Sequence, residues 1–134
     1  MRRLDIDPAP VRHILITHQD TDHAGALERD SELLFKDAMI RLRETENRYL
    51  TGERRRKVFY GLYKLPPVKT DNPKVLPQDG QFLDIAGIKI ECILVPGHTW
   101  GHMFYLSDDA YLFTGDALVR RGRRLQLHQH AGGG

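Results

Sequence analysis

Residues 17–23 read Thr-His-Gln-Asp-Thr-Asp-His and place His18, Asp20, Asp22 and His23 in one short stretch. Imidazole nitrogens and carboxylate oxygens are the donors that hold zinc-class ions, and catalytic sites of that class leave one position open for water. Two further segments offer the same donors: Gly97-His98-Thr99-Trp100-Gly101-His102 and Thr114-Gly115-Asp116. Each segment follows an apolar run, at residues 13–16, 88–95 and 111–113 respectively. Side chains leaving strand ends into tight loops can fan toward one point, as a polynuclear metal centre requires. The competing account of the Asp residues is helix capping, since an Asp ahead of a helix is favourable. Capping explains one Asp but neither the two His nor the second Asp. Alone, His98 could be a loop His bonded to backbone and Asp116 a turn residue; with the upstream motif present, both are candidate ligands.

The elements that must position these donors follow from periodicity and turn residues. Residues 13–17 are apolar enough for a short buried strand in a sheet covered by helices. Leu27, Leu33, Leu34 and Phe35 suit a helix over residues 24–35 with one apolar face. Residues 38–42 fit a strand or a helical extension, because so short a run has no decisive period. Residues 44–50 predict a helix ending near Gly52. Residues 53–75 mix Arg54-Arg55-Arg56-Lys57, the aromatics Phe59, Tyr60 and Tyr63, and prolines, without a clear pattern. Residues 81–85 and 88–95 flank Ala86-Gly87 as a hairpin, and residues 103–106 and 111–113 flank a second turn. The alternating Leu125 and Leu127 predict one edge strand within residues 118–130. Strand, helices and then paired strands suit an α/β sandwich. A Rossmann unit is excluded, because no Gly-x-Gly-x-x-Gly follows a strand.

Taken together, His18-Gln19-Asp20-Thr21-Asp22-His23, the Gly97–His102 segment and Thr114-Gly115-Asp116 resemble the metallo-β-lactamase fold superfamily. That family carries His-x-His-x-Asp-His, Gly-His-Thr-x-Gly-His and Thr-Gly-Asp in the same order. The resemblance spans residues 14–118 and includes Asp79-Gly80 ahead of Leu83-Asp84-Ile85-Ala86-Gly87. It implies a partial αβ/βα sandwich of the metallo-β-lactamase type, forming a single domain over residues 1–134. The family's N-terminal strands and its last ligand His are expected to be missing. His128 and His130 are the local candidates for that last ligand. By the same resemblance His18 and His98 belong to a first metal position, with Asp20 standing where the family has His. Asp22 and His23 belong to a second position, and Asp116 bridges the two. His102 is assigned a supporting role.

The implied chemistry is metal-assisted hydrolysis of an ester, thioester, lactone or β-lactam carbonyl. One or two divalent ions lower the pKa of a water toward about 7, and the resulting hydroxide attacks the carbonyl carbon. Asp22 and Asp116 are the catalytic candidates, orienting the nucleophile and passing a proton to the leaving group. Zinc is the first choice of metal; the carboxylate at Asp20 shifts preference toward manganese or iron. The rival reading is a truncated or degenerate scaffold that binds metal weakly and does not turn over.

Composition narrows the remaining classes. The chain has 134 residues, 40% of them hydrophobic, and a formal net charge of +2. That balance is too weakly basic to indicate a nucleic-acid partner, despite Arg54–Lys57 and the arginines at 120, 121, 123 and 124. No apolar run is long enough for a bilayer, and residues 1–8 have no signal-peptide core. Cys92 is the only cysteine, which excludes an internal disulfide, reads as a small buried hydrophobe and makes the cytoplasm the expected compartment. A small-molecule substrate is expected. So is a homo-oligomer, because a sheet lacking its first strands would leave edges and apolar surface uncovered.

Overall fold

The computed structural model describes residues 10–28, 35, 37–55, 57, 58, 62–64, 67, 68 and 70–127. Two sheets frame it. The first is parallel, with strands β1 (His13–Leu15), β2 (Met39–Arg41) and β5 (Lys74–Val75) in the order β1-β2-β5. Pairing with β1 settles residues 39–41 as strand, which local periodicity alone left open. Between β2 and β5 lie the helix α2 (Glu44–Leu50) and the small hairpin of β3 (Lys57–Val58) and β4 (Tyr63–Lys64). Helix α2 has the predicted bounds, and Gly52 follows it at φ 82. Ile16, Ala24, Leu27, Ile40, Leu42, Leu50 and Val68 form the buried core here.

The second sheet is an antiparallel meander of β6 (Phe82–Ile85), β7 (Ile88–Leu94), β8 (Met103–Ser107) and β9 (Tyr111–Phe113). Both expected hairpins are present. Ala86 and Gly87 turn the first at φ 54 and 83; Asp108 and Asp109 turn the second at φ 49 and 55. Such paired left-handed residues match the twist of the flanking strands. Ile85, Ile90, Cys92, Met103 and Tyr105 pack as a second cluster.

The sheets meet at the C-terminal end of β1. The Met103 amide donates to the Thr17 carbonyl at 2.9 Å. The buried Tyr105 hydroxyl donates to the Ile16 carbonyl at 3.0 Å and lies 3.3 Å from the Arg41 carbonyl. This seam brings the loop after β1 beside the start of β8. A cleft of about 460 Å³, lined by Leu15, Ile88, Ile90, Tyr105 and Phe113 among others, runs along it to His23.

Two expectations need correction. The helix predicted over residues 24–35 instead begins earlier, as α1 (Thr21–Ala24), tightens into a 3₁₀ turn at Gly25–Leu27 and leaves helical geometry at Glu28, φ −55 and ψ 130. Leu33 and Leu34 lie outside the described residues. The single edge strand expected near the end is instead a hairpin of β10 (Leu118–Arg121) and β11 (Arg124–Leu127), turned by Gly122 at φ 60. Among the described residues no helix is long and apolar enough to cross a membrane.

Candidate metal centre

His18 leaves the end of β1 and is fully buried. Its Nδ1 lies 3.1 Å from the Thr17 hydroxyl, which fixes the ring, while Nε2 faces the other donors and has no hydrogen-bond partner. A buried, unsatisfied imidazole nitrogen is costly unless something fills its lone-pair direction. The Nε2 of His18 is 3.5 Å from an Asp20 oxygen and 3.9 Å from an Asp116 oxygen. The Nε2 of His98 reaches the same two oxygens at 3.4 and 3.8 Å. The Nε2 of His23 is 3.2 Å from Asp116 and 3.6 Å from Asp22.

These distances resolve into two donor groups sharing one residue: His18, His98 and Asp116, and Asp22, His23 and Asp116, each with ligand atoms within 4.8 Å. Asp20 projects into the first group. The structure therefore brings together all six residues expected as ligands, with Asp116 shared by both groups. Carboxylates and imidazoles converging this closely match the donor chemistry of a divalent cation, so the residues fit the metal. Asp22 and Asp116 are the accessible members, with side chains 74% and 44% exposed, so the centre opens on their side.

Side-chain capping does not account for Asp20. The backbone carbonyl of Asp20 accepts the amides of His23 and Ala24, making Asp20 the N-cap of α1, but its side chain makes no cap hydrogen bond.

His102 lies beside the centre. Its ring stacks 4.8 Å from that of His18, and its Nε2 donates to the Thr114 carbonyl at 2.8 Å. Burial holds its pKa down at about 4, so the ring is neutral and braces the turn that carries Asp116. Gly115 completes that turn at φ 51, so tightly that an added Cβ would lie 2.5 Å from the Thr17 hydroxyl and 3.1 Å from His102 Cε1.

Glu46 was not among the expected site residues. Fully buried on α2, its carboxylate accepts the Gln19 amide at 3.0 Å and the Gly101 amide at 2.9 Å. The two amides belong to the two His-bearing loops. The trace it leaves in the sequence is Gly101, where an added Cβ would lie 2.8 Å from the Glu46 carboxylate and 2.9 Å from Thr45 Cβ. His128 and His130 lie outside the described residues. Cys92 is buried, and desolvation raises its pKa to about 11, so it stays a protonated core thiol.

The model of the metallo-beta-lactamase superfamily matches residues 1–127. A hydroxyacylglutathione hydrolase from Shewanella halifaxensis is 34% identical over 113 residues, covering 84% of this chain and 36% of the relative. An atrochrysone carboxyl ACP thioesterase from Cryptosporiopsis is 29% identical over 117 residues, covering 87% of this chain and 29% of the relative. The chain thus spans about a third of the length of these curated relatives. Among solved structures, a metallo-beta-lactamase from Cronobacter sakazakii superposes with a TM-score of 0.58 at 23% identity, covering 79% of this chain and 41% of that one. A flavo di-iron protein variant from Thermotoga maritima superposes with a TM-score of 0.64 at 24% identity, covering 87% and 26% respectively.

Proposed function

Because the chain belongs to the metallo-beta-lactamase superfamily and carries part of its mixed α/β fold, we propose that it is a metal-dependent hydrolase acting at an activated carbonyl. Thioesters are the first substrate class; esters, lactones and β-lactams are the alternatives. The observation that carries this reading is the convergence of His18, His98, Asp22 and His23 on the shared carboxylate of Asp116. Two of the relatives are named for the hydrolysis of a glutathione conjugate and of an acyl-carrier thioester, which puts the thioester first.

In this reading His18, His98 and Asp20 would hold one divalent ion and Asp22 and His23 a second, with Asp116 available to both. Zinc is preferred, with manganese or iron as the alternatives that the carboxylate of Asp20 favours. Bound there, the metal supplies Lewis acidity and a water of lowered pKa. The protein's own groups supply the rest. Asp22 and Asp116, the accessible carboxylates, orient the attacking water and pass a proton to the leaving group. The Thr17 hydroxyl holds the ring of His18, and His102 holds the Thr114–Asp116 turn through the Thr114 carbonyl. A cytoplasmic setting belongs to the same reading, supported by the buried lone thiol of Cys92. So does a homo-oligomer, supported by the apolar cleft beside β1 and by exposed Tyr111, Leu112 and Phe113 on the sheet-edge strand β9.

The test uses the full chain loaded with zinc or with manganese and assayed on a glutathione thioester, a nitrophenyl ester and nitrocefin. Turnover that disappears on chelation, together with metal content lost in a His18→Ala, His98→Ala double variant, is the expected result. Turnover that survives exhaustive chelation overturns the mechanism. Full metal occupancy without turnover on any substrate supports the non-catalytic scaffold instead.

A further inference from the structure

We propose that Glu46 is the positioning residue that sets the spacing of the two His-bearing loops, and through it the affinity and geometry of the metal centre. This inference rests on the metal-centre reading above. Glu46 is not one of the six candidate ligands. Its carboxylate instead bridges two backbone amides, one oxygen to each: Oε2 accepts Gln19 N–H at 3.0 Å and Oε1 accepts Gly101 N–H at 2.9 Å. Gln19 lies between His18 and Asp20, so fixing its amide fixes the peptide linking it to His18. Gly101 lies between His98 and His102, the ring stacked on His18. One side chain thus ties the segment after β1 to the segment before β8.

Three features separate this arrangement from incidental packing. Glu46 is 0% exposed, and a buried carboxylate is retained only where its oxygens are satisfied. Both oxygens are used, and on different loops. Position 101 has no room for a side chain against Glu46. Partners that orient a site without touching the metal typically change its affinity about 10–100-fold when replaced.

The Glu46→Gln variant is the sharpest probe. Glutamine keeps the shape but offers a single acceptor oxygen, and its NH₂ would face an N–H of the other loop, donor against donor. Zinc affinity of the full chain is measured by competition with a chromophoric chelator, and site geometry by the absorption spectrum of the cobalt-loaded protein. Glu46→Gln is expected to bind zinc about 10–100-fold more weakly and to show a shifted cobalt spectrum with its far-ultraviolet circular dichroism unchanged. Glu46→Asp, which keeps both acceptors, is expected to fall between Glu46→Gln and the native protein. Equal zinc affinity and an identical cobalt spectrum in Glu46→Gln would overturn the proposal. A native protein that binds no metal would overturn the metal-centre reading itself. Amide exchange of the native, metal-free chain decides the positioning claim even then, or if Glu46→Gln fails to fold. Slow exchange at both Gln19 and Gly101 supports it; exchange at open-loop rates at either amide sinks it.

Discussion

Gly115→Ala should damage both the fold and the centre, and Gly122→Ala provides its internal control. Both glycines are left-handed, at φ 51 and 60, so alanine at either position incurs about 1–2 kcal/mol of backbone strain. Their surroundings differ completely. A Cβ at position 122 meets nothing within 4 Å, whereas one at position 115 meets Thr17 Oγ1 at 2.5 Å, Thr17 Cβ at 3.0 Å and His102 Cε1 at 3.1 Å. Overpacking of that kind costs a further amount of about 1–3 kcal/mol. Gly115→Ala should therefore lower stability by about 2–5 kcal/mol, and Gly122→Ala by about 1–2. Equilibrium urea unfolding of the metal-free chain measures both. The strain at 115 also falls on Thr17, whose hydroxyl holds His18. Zinc affinity should drop about tenfold or more in Gly115→Ala and stay unchanged in Gly122→Ala. Equal destabilisation of the two variants, or intact zinc binding in a folded Gly115→Ala, would refute the claim that this turn is built against the site.

Asp20→His should strengthen zinc binding, because imidazole reaches farther than the short carboxylate and suits zinc better; calorimetry giving equal or weaker binding would count against it. Stability of the metal-free chain should fall on acidification through the window set by His102. Its folded pKa of about 4 lies below the ordinary 6.5, so the unfolded chain takes up the proton first. The contribution is complete above about pH 6.5, declines as pH falls toward 4 and amounts to about 3 kcal/mol. Urea titrations at pH 7 and pH 4.5 on native protein and His102→Asn measure it, and a slope unaffected by the substitution would exclude His102 as its source. The chain should be a dimer by light scattering across a tenfold dilution, and a monodisperse monomer at every concentration would contradict that.

The parts of this fold readable in sequence are those governed by local rules. Ala86-Gly87 and Asp108-Asp109 mark their hairpins because left-handed turn positions restrict residue type, and α2 falls where its pattern places it. His18, Asp22, His23, His98 and Asp116 stand out because few other roles require that density of donors. Glu46 did not stand out. A Glu in a short, charged helix reads as solvent-facing, and its partners are backbone amides, which have no residue identity to recognise. Gly101 lacks a side chain because α2 comes close there, and that approach is tertiary and leaves no local pattern. The hairpin of β10 and β11 was missed because Arg-Gly-Arg is a weak turn signal inside a uniformly polar stretch. The helix after His23 stops short at Glu28, where the backbone turns extended despite an apolar pattern that continues beyond it.

The seam at which the Thr17 carbonyl accepts the Met103 amide also governs when the centre can exist during folding. The meander from β6 to β9 contains only near-neighbour pairings and can assemble early. The donors instead join residue 18 to residues 98 and 116, contacts of very high sequence separation that form only after most of the chain has closed. Metal capture would therefore be a late event, and a bound ion would act against global unfolding rather than against fraying of either sheet alone. In hydrogen-exchange terms, zinc should slow the most protected amides of β1 and β8 together, as one cooperative unit.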